Sequence, residues 1–312
     1  MSEKISGAFK RKSLNQFLVS NNFIKAKFLS YGAILHELWV KNYENKYVNV
    51  IKGLKKKEEY LNDIWSRGAI MGRFAGRLEN PILIEGKKYE IENNDGILLH
   101  SGLSGWNKKN WKLINYNKHK SISFEYLCKD RSSGFPGNVI VKIKYALIEN
   151  ELQISYLAET DKNTHINLTN HSYFNLNGNN PINSNFLKIN ADYYLELKNN
   201  LVPSGKILNV SDTKFDFRNF KVIGTNRFDD YFILNKTKEA AASIYDPNSK
   251  IKMEVYTNQP GIVIFTPLNF EGICFETQKF SNSPNISHFP KTLLKTGEVY
   301  EQKTKFRFSL IE

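Results

Sequence analysis

Short apolar or alternating runs recur from one end of this 312-residue chain to the other, and that recurrence restricts the fold more than any other feature. They fall at 23–29, 34–40, 89–91, 121–127, 139–147, 152–157, 166–174, 186–189, 251–256, 262–265, 273–275 and 304–310. Most have the length of a strand rather than of a helix. In 139–147 apolar residues alternate with Lys142 and Lys144, and the run at 152–157 follows after a short turn containing Glu149 and Asn150, so the pair reads as an antiparallel hairpin. Helical candidates are brief, such as 56–61. No linker, low-complexity tract or fixed-period repeat divides the chain. The expectation is one all-β domain over 1–312, a large antiparallel β-sandwich with few short helices. A propeller would carry a repeated blade signature, and none is present.

Composition agrees with that reading. Aromatic residues make up 13%, with 16 Tyr and 21 Phe, and β-branched residues crowd the apolar runs. At 41% hydrophobic the chain can bury a sizeable core, yet no run approaches the roughly 20 apolar residues that span a bilayer. Residues 1–23 intersperse Lys4, Lys10, Arg11, Lys12 and Asn15 among apolar ones and lack the apolar core of a signal peptide. Cys128 and Cys274 stand too far apart for a zinc or redox motif and read as inert buried thiols. Together these features predict a soluble cytoplasmic protein with no membrane partner; a monomer or homodimer is expected. The net charge of +13 raises nucleic-acid binding, but the lysines are scattered among Asn, Glu and Asp rather than clustered. No nucleic-acid partner is expected.

Chemistry-bearing residues concentrate in 164–176. Read as one strand, this segment places His165, Asn167, Thr169, His171 and Tyr173 on one face. Solvated strand faces elsewhere in the chain carry Lys and Glu, and this one carries neither. Uncharged donors and acceptors suit a cleft that pairs with hydroxyls. In 271–278, Glu276 interrupts an apolar run, where a carboxylate is costly unless paired or set in a cleft. Its sequence context fits a satisfied ion pair as well as a general base. In 68–78, Arg73 and Arg77 stand among glycines without the Gly-Lys-Ser/Thr ending of a phosphate loop. Either arginine can hold sugar hydroxyls or brace the fold. His100 closes an apolar run, and Asp229 sits beside Phe228 in a second aromatic segment.

These fragments together resemble the galactose mutarotase (aldose 1-epimerase) family. Asn167-Leu-Thr-Asn-His-Ser-Tyr-Phe-Asn-Leu176 matches its signature nearly letter for letter. Gly72-Arg-Phe-Ala-Gly-Arg77, Leu99-His100, Phe228-Asp229, Phe275-Glu-Thr-Gln278, Ser283-Pro-Asn285 and Phe289-Pro290 follow in the family's order from about Gly68 to the C-terminus. The resemblance implies a large β-sandwich that interconverts the α and β anomers of a free aldohexose, galactose or glucose, without metal or organic cofactor. It implies that Glu276 is the base that takes the anomeric hydroxyl proton and His171 the acid that protonates the ring oxygen, both with pKa values near neutrality. Arg77, His100, Tyr173 and Asp229 match positions that hold the sugar.

Departures from the family pattern bear on the substrate. Gly76 stands where Asn is common, Ser101 replaces Gly, Trp106-Asn107 replaces Phe-Asp, Val263 replaces a sugar-contacting Gln, and the loop at 267–272 is altered and short. Two rivals remain at this point. One is a sugar-binding or sensing protein that has lost turnover; the other is a glycosidase using Glu276 and Asp229 as its two carboxylates.

Overall fold

A computed structural model describes residues 14–178 and 180–311. Most of the N-terminal segment read above for a signal peptide, residues 1–13, lies outside the described residues.

The chain folds as an all-β structure around three antiparallel sheets. The largest has nine strands in the order Lys112–Asn117, Ser121–Cys128, Val139–Ile148, Glu151–Thr160, Tyr300–Leu310, Ile251–Thr257, Ala242–Tyr245, Phe186–Ile189 and Lys221–Val222. Its centre shows why these residues form strands. In Val139–Ile148, Val139, Val141, Ile143, Tyr145 and Leu147 are buried while Ile140, Lys142 and Lys144 face solvent, the period of two read from the sequence. Ile148 pairs with Glu151, so the expected hairpin closes through Glu149 and Asn150, with Glu149 at φ 51°.

A second sheet has six strands, in the order Tyr173–Phe174, Ile273–Gln278, Gly261–Phe265, Asp229–Ile233, Tyr193–Leu197 and Pro203–Asn209. A third has four, Gln16–Ser20, Ile24–Leu29, Ile34–Lys41 and Tyr47–Asn49. One continuous apolar cluster joins all three: Phe124, Ile143 and Phe306 from the first, Ile264 and Phe275 from the second, Phe28 and Leu38 from the third. Each such side chain contributes roughly 1.5–3 kcal/mol on burial, and this shared core ties the three sheets together. The expected short helix appears as a 3-10 turn, Lys57–Asn62, where Glu59 accepts the Lys56 backbone N–H at 3.0 Å.

The segment 164–174 differs from the single strand expected. It breaks into Thr164–His165, Thr169–Asn170 and Tyr173–Phe174, which pair with three different partners, Leu293–Leu294, Ile70–Met71 and Ile273–Gln278. A chain that leaves one strand for the next cannot hold all its odd-numbered side chains on one face. His165 is thereby turned away from the others.

Candidate active site

The cleft-side face of the six-stranded sheet follows from its register. Glu276 pairs with Val263 and Val263 with Tyr231; one row over, Cys274 pairs with Phe265 and Phe265 with Asp229. Short strands and the loops beside them supply the walls. Arg77 and His100 come from one side, His171 and Tyr173 from another, and Trp65 and Ser66 from a third. All six residues singled out in the sequence, Glu276, His171, Arg77, His100, Tyr173 and Asp229, line the same cleft. Its volume is about 240 Å³, smaller than the roughly 300–1,000 Å³ of sites for drug-sized ligands and suited to one sugar ring.

At its centre His171 Nε2 lies 3.4 Å from Glu276 Oε1, with both residues buried. Burial penalises the charged form of each and drives the two in opposite directions. The Glu276 carboxyl is pushed up to about 8, mainly by burial and further by the Asp229 carboxylate, while Arg77 opposes the shift. The His171 imidazole is held down to about 4 by burial, against the upward pull of its own backbone carbonyl, Asp229 and Asp63. His171 therefore departs from the neutral value expected of it, because its ring is sealed from water. Between these values the pair carries one proton, and burial places it on Glu276.

The surrounding groups hold this pair in place. The His171 ring Nδ1 lies 3.5 Å from the sulfur of Cys274, a thiol that burial keeps protonated. Cys274 is thus buried as expected and packs against the His171 ring without lining the cleft. The Tyr173 hydroxyl donates to the Trp65 carbonyl at 3.1 Å, and Trp65 stacks on Phe265 with ring centres 6.4 Å apart. Asp63 holds the Trp65 turn by accepting the backbone N–H groups of Trp65 at 3.1 Å and Arg67 at 2.7 Å. Arg77 pairs with Asp229 at 2.9 Å, which places a guanidinium and a carboxylate side by side at the cleft wall.

His100 is half-buried at the cleft, and desolvation, followed by the charges of His171 and Arg77, holds its imidazole well below its ordinary pKa. The Gly76 backbone N–H donates to His100 Nδ1 at 3.2 Å. The neutral ring must then carry its proton on Nε2, as a hydrogen-bond donor. His100, His171 and Glu276 bring one ligand atom each within 4.8 Å of one another, the one such trio among the described residues. With Nδ1 occupied and Nε2 protonated, His100 suits hydroxyl recognition better than metal ligation.

Other sequence candidates resolve differently. His165 faces Thr292 Oγ1 at 2.9 Å and the Leu83 carbonyl at 3.2 Å, a structural role outside the cleft. Of the two arginines, Arg77 reaches the cleft and Arg73 braces the fold. Arg73 donates to the carbonyls of Pro136 at 2.7 Å, Gly137 at 2.9 Å and Lys129 at 3.3 Å. Gln278, Trp65 and Tyr231 also line the cleft and were not singled out by sequence. Gln278 had a signal, its place in the Glu-Thr-Gln motif; Trp65 had none.

A buried carboxyl 3.4 Å from a buried imidazole, beside an Arg77–Asp229 pair and in a cleft sized for one sugar ring, defines an acid/base site. The family model described as "Aldose 1-epimerase" matches residues 15–307. Galactose mutarotase of Sus scrofa is 33% identical over 96% of this chain and 95% of its own length, and that of Homo sapiens is 32% identical over the same shares. Aldose 1-epimerase of Escherichia coli is 27% identical over 93% of this chain and 94% of its own. The crystal structure of an aldose epimerase homologue from C. elegans superposes with a TM-score of 0.92 at 26% identity, covering 96% of this chain and all of that one. The chain belongs to the aldose 1-epimerase family and is an aldose epimerase, an enzyme of the isomerase class.

Proposed function

We propose that this enzyme interconverts the α and β anomers of a free aldohexose, galactose or glucose, with Glu276 and His171 moving the protons. The observation that carries the reading is the 3.4 Å contact between two buried groups whose pKa values are driven apart. Ring opening requires one group to take the O1 proton while the other gives a proton to the ring oxygen. A pair with one proton between them fits that demand in both directions.

Burial holds the proton on Glu276, so the sugar must move it. An O1–H group that donates to Glu276 favours the carboxylate, and a ring oxygen that accepts from His171 favours the imidazolium. Arg77 supports the anion at Glu276 and Asp229 supports the cation at His171. The ring then opens to the aldehyde, C1 turns about its bond to C2, and reclosure with the transfers reversed delivers the other anomer. Arg77, His100, Tyr173 and Asp229 hold the sugar while this happens. We further read residues 1–312 as one working domain placed in the cytoplasm; the free thiols of Cys128 and Cys274 fit a reducing compartment.

Polarimetry on freshly dissolved α-galactose and α-glucose tests this. The rotation should decay faster than in a buffer control, and Glu276→Gln and His171→Ala should each lower turnover by about 10²–10⁴-fold with the fold intact. Decay at the buffer rate for every aldose tried, or full turnover in either variant, would overturn the reading.

A further inference from the structure

Gln278 lines the cleft, is fully buried, and leaves its Nε2 without a hydrogen-bond partner. Its orientation is fixed from behind. The Lys279 backbone N–H donates to Asn167 Oδ1 at 2.9 Å, which sets the Asn167 amide, and Asn167 Nδ2 donates to Gln278 Oε1 at 3.1 Å. The oxygen of Gln278 is therefore occupied and its NH₂ group remains a free donor. A buried donor without a protein partner costs about 1–3 kcal/mol unless it is satisfied from the cleft, so Gln278 offers a hydrogen bond to whatever the cleft binds.

A second polar group stands beside it. Gly76 has φ +79°, and a Cβ built there would lie 2.1 Å from Ser281 Oγ and 3.5 Å from Gln278 Oε1. The space a side chain at 76 would fill is taken by the Ser281 hydroxyl. Ser281 also lines the cleft. The absence of a side chain at 76 thus leaves room for Ser281 Oγ, and Gln278 Oε1 borders the same space.

The position of these groups along the strand identifies what they face. Cys274, Glu276 and Gln278 share one side of Ile273–Gln278, each about 6.6 Å from the next. The His171 ring bridges the Cys274 and Glu276 end of this row, with Nδ1 near the sulfur and Nε2 near the carboxyl. With Glu276 on O1 and His171 on the ring oxygen, as proposed above, one flank of C1 is accounted for. The other flank of C1 is C2, and it falls on the Gln278 side.

We propose that Gln278 and Ser281 form the subsite that reads the C2 hydroxyl of the aldose, with Gln278 donating and Ser281 able to donate or accept. The preferred substrates are then aldoses that keep a hydroxyl at C2. The inference rests on the acid/base reading of Glu276 and His171 for its orientation.

The test compares glucose with 2-deoxyglucose, and galactose with 2-deoxygalactose, in the wild type, Ser281→Ala and Gln278→Met. The wild type should favour each parent sugar. Each variant should raise the parent's KM about 3- to 10-fold, the loss of one neutral hydrogen bond, with a smaller change in kcat and no matching rise for the deoxy sugar. Equal losses on both sugars, or no change on either, would overturn the subsite. If Gln278→Met does not fold, Ser281→Ala decides alone. If the wild type turns over no aldose, the acid/base reading fails separately. Sugar binding followed by tryptophan fluorescence, with Trp65 in the cleft wall, then decides the subsite: parent binding tighter than 2-deoxy binding and weakened by Ser281→Ala upholds it, and equal binding of the two sugars overturns it.

Discussion

His171 Nε2 stands 3.4 Å from Glu276 Oε1, and neither group is in contact with bulk water in more than a few percent of its surface, 6% for His171 and 3% for Glu276. That contact predicts the pH profile. The productive form carries one proton on the pair, and kcat/KM reports the ionisations of the free enzyme. Below about 4 His171 also becomes protonated, and above about 8 Glu276 loses the only proton. Buffer-corrected polarimetry should show kcat/KM on a plateau between these values, with a fall on each side. A rate that keeps rising through pH 9 would contradict the single-proton pair.

The same shift predicts a stability effect of fixed sign. Glu276 holds its proton to about 8 in the folded protein and releases it near its ordinary value, 4.5, when unfolded. Stability from that proton is fully present below about pH 4.5 and is lost as pH rises through 8. Glu276→Gln keeps a neutral group throughout. Its Tm should therefore gain on the wild type by several degrees between pH 5 and pH 8.5, measured by calorimetry. His171 acts in the opposite sense between about 4 and 6.5, but both proteins carry it, so the difference isolates Glu276. A constant difference across that pH range would show that the carboxyl is not shifted.

The sequence made the all-β architecture and the chemistry of the cleft legible for different reasons. Strand periodicity is local, and the alternation in 139–147 survives intact in Val139–Ile148 because both faces of that strand follow one rule. The face drawn for 164–174 failed where the chain changes partners, since pairing with Leu293–Leu294 and Ile70–Met71 is set by residues far away. His165 and His171 look alike in sequence and part company for that reason. Trp65 was unreadable because its place depends on Asp63 capping a loop and on Phe265 lying beneath it. The unpaired Nε2 of Gln278 is a property of its neighbours, not of the Glu-Thr-Gln motif.

Arg73 illustrates a residue whose motif position suggested a ligand contact and whose role is structural. Its guanidinium satisfies three backbone carbonyls, those of Lys129, Pro136 and Gly137, and a lysine ammonium cannot span that fork. Arg73→Lys should lower stability by about 2–4 kcal/mol in a denaturant titration, through carbonyls left unpaired in the interior. The folded variant should keep KM and kcat within about twofold, because Arg73 does not line the cleft. A large change in KM without loss of stability would return Arg73 to the sugar site.

Gly76 and Ser281 occupy one space between them, and this makes their substitutions interdependent. Alanine at 76 adds a Cβ at 2.1 Å from Ser281 Oγ and 3.0 Å from Ser281 Cβ, at a φ of +79° that L side chains rarely adopt. Gly76→Ala should displace Ser281, strain the turn that leads into Arg77, and reduce kcat/KM about tenfold. Ser281→Gly in the same chain removes the colliding atoms but not the backbone strain, which costs about 1 kcal/mol. The double variant should therefore recover part of the activity lost in Gly76→Ala, a non-additivity expected of residues in contact. Strictly additive losses would show that the two positions do not compete for the same space, and that Gly76 is required for its backbone conformation alone.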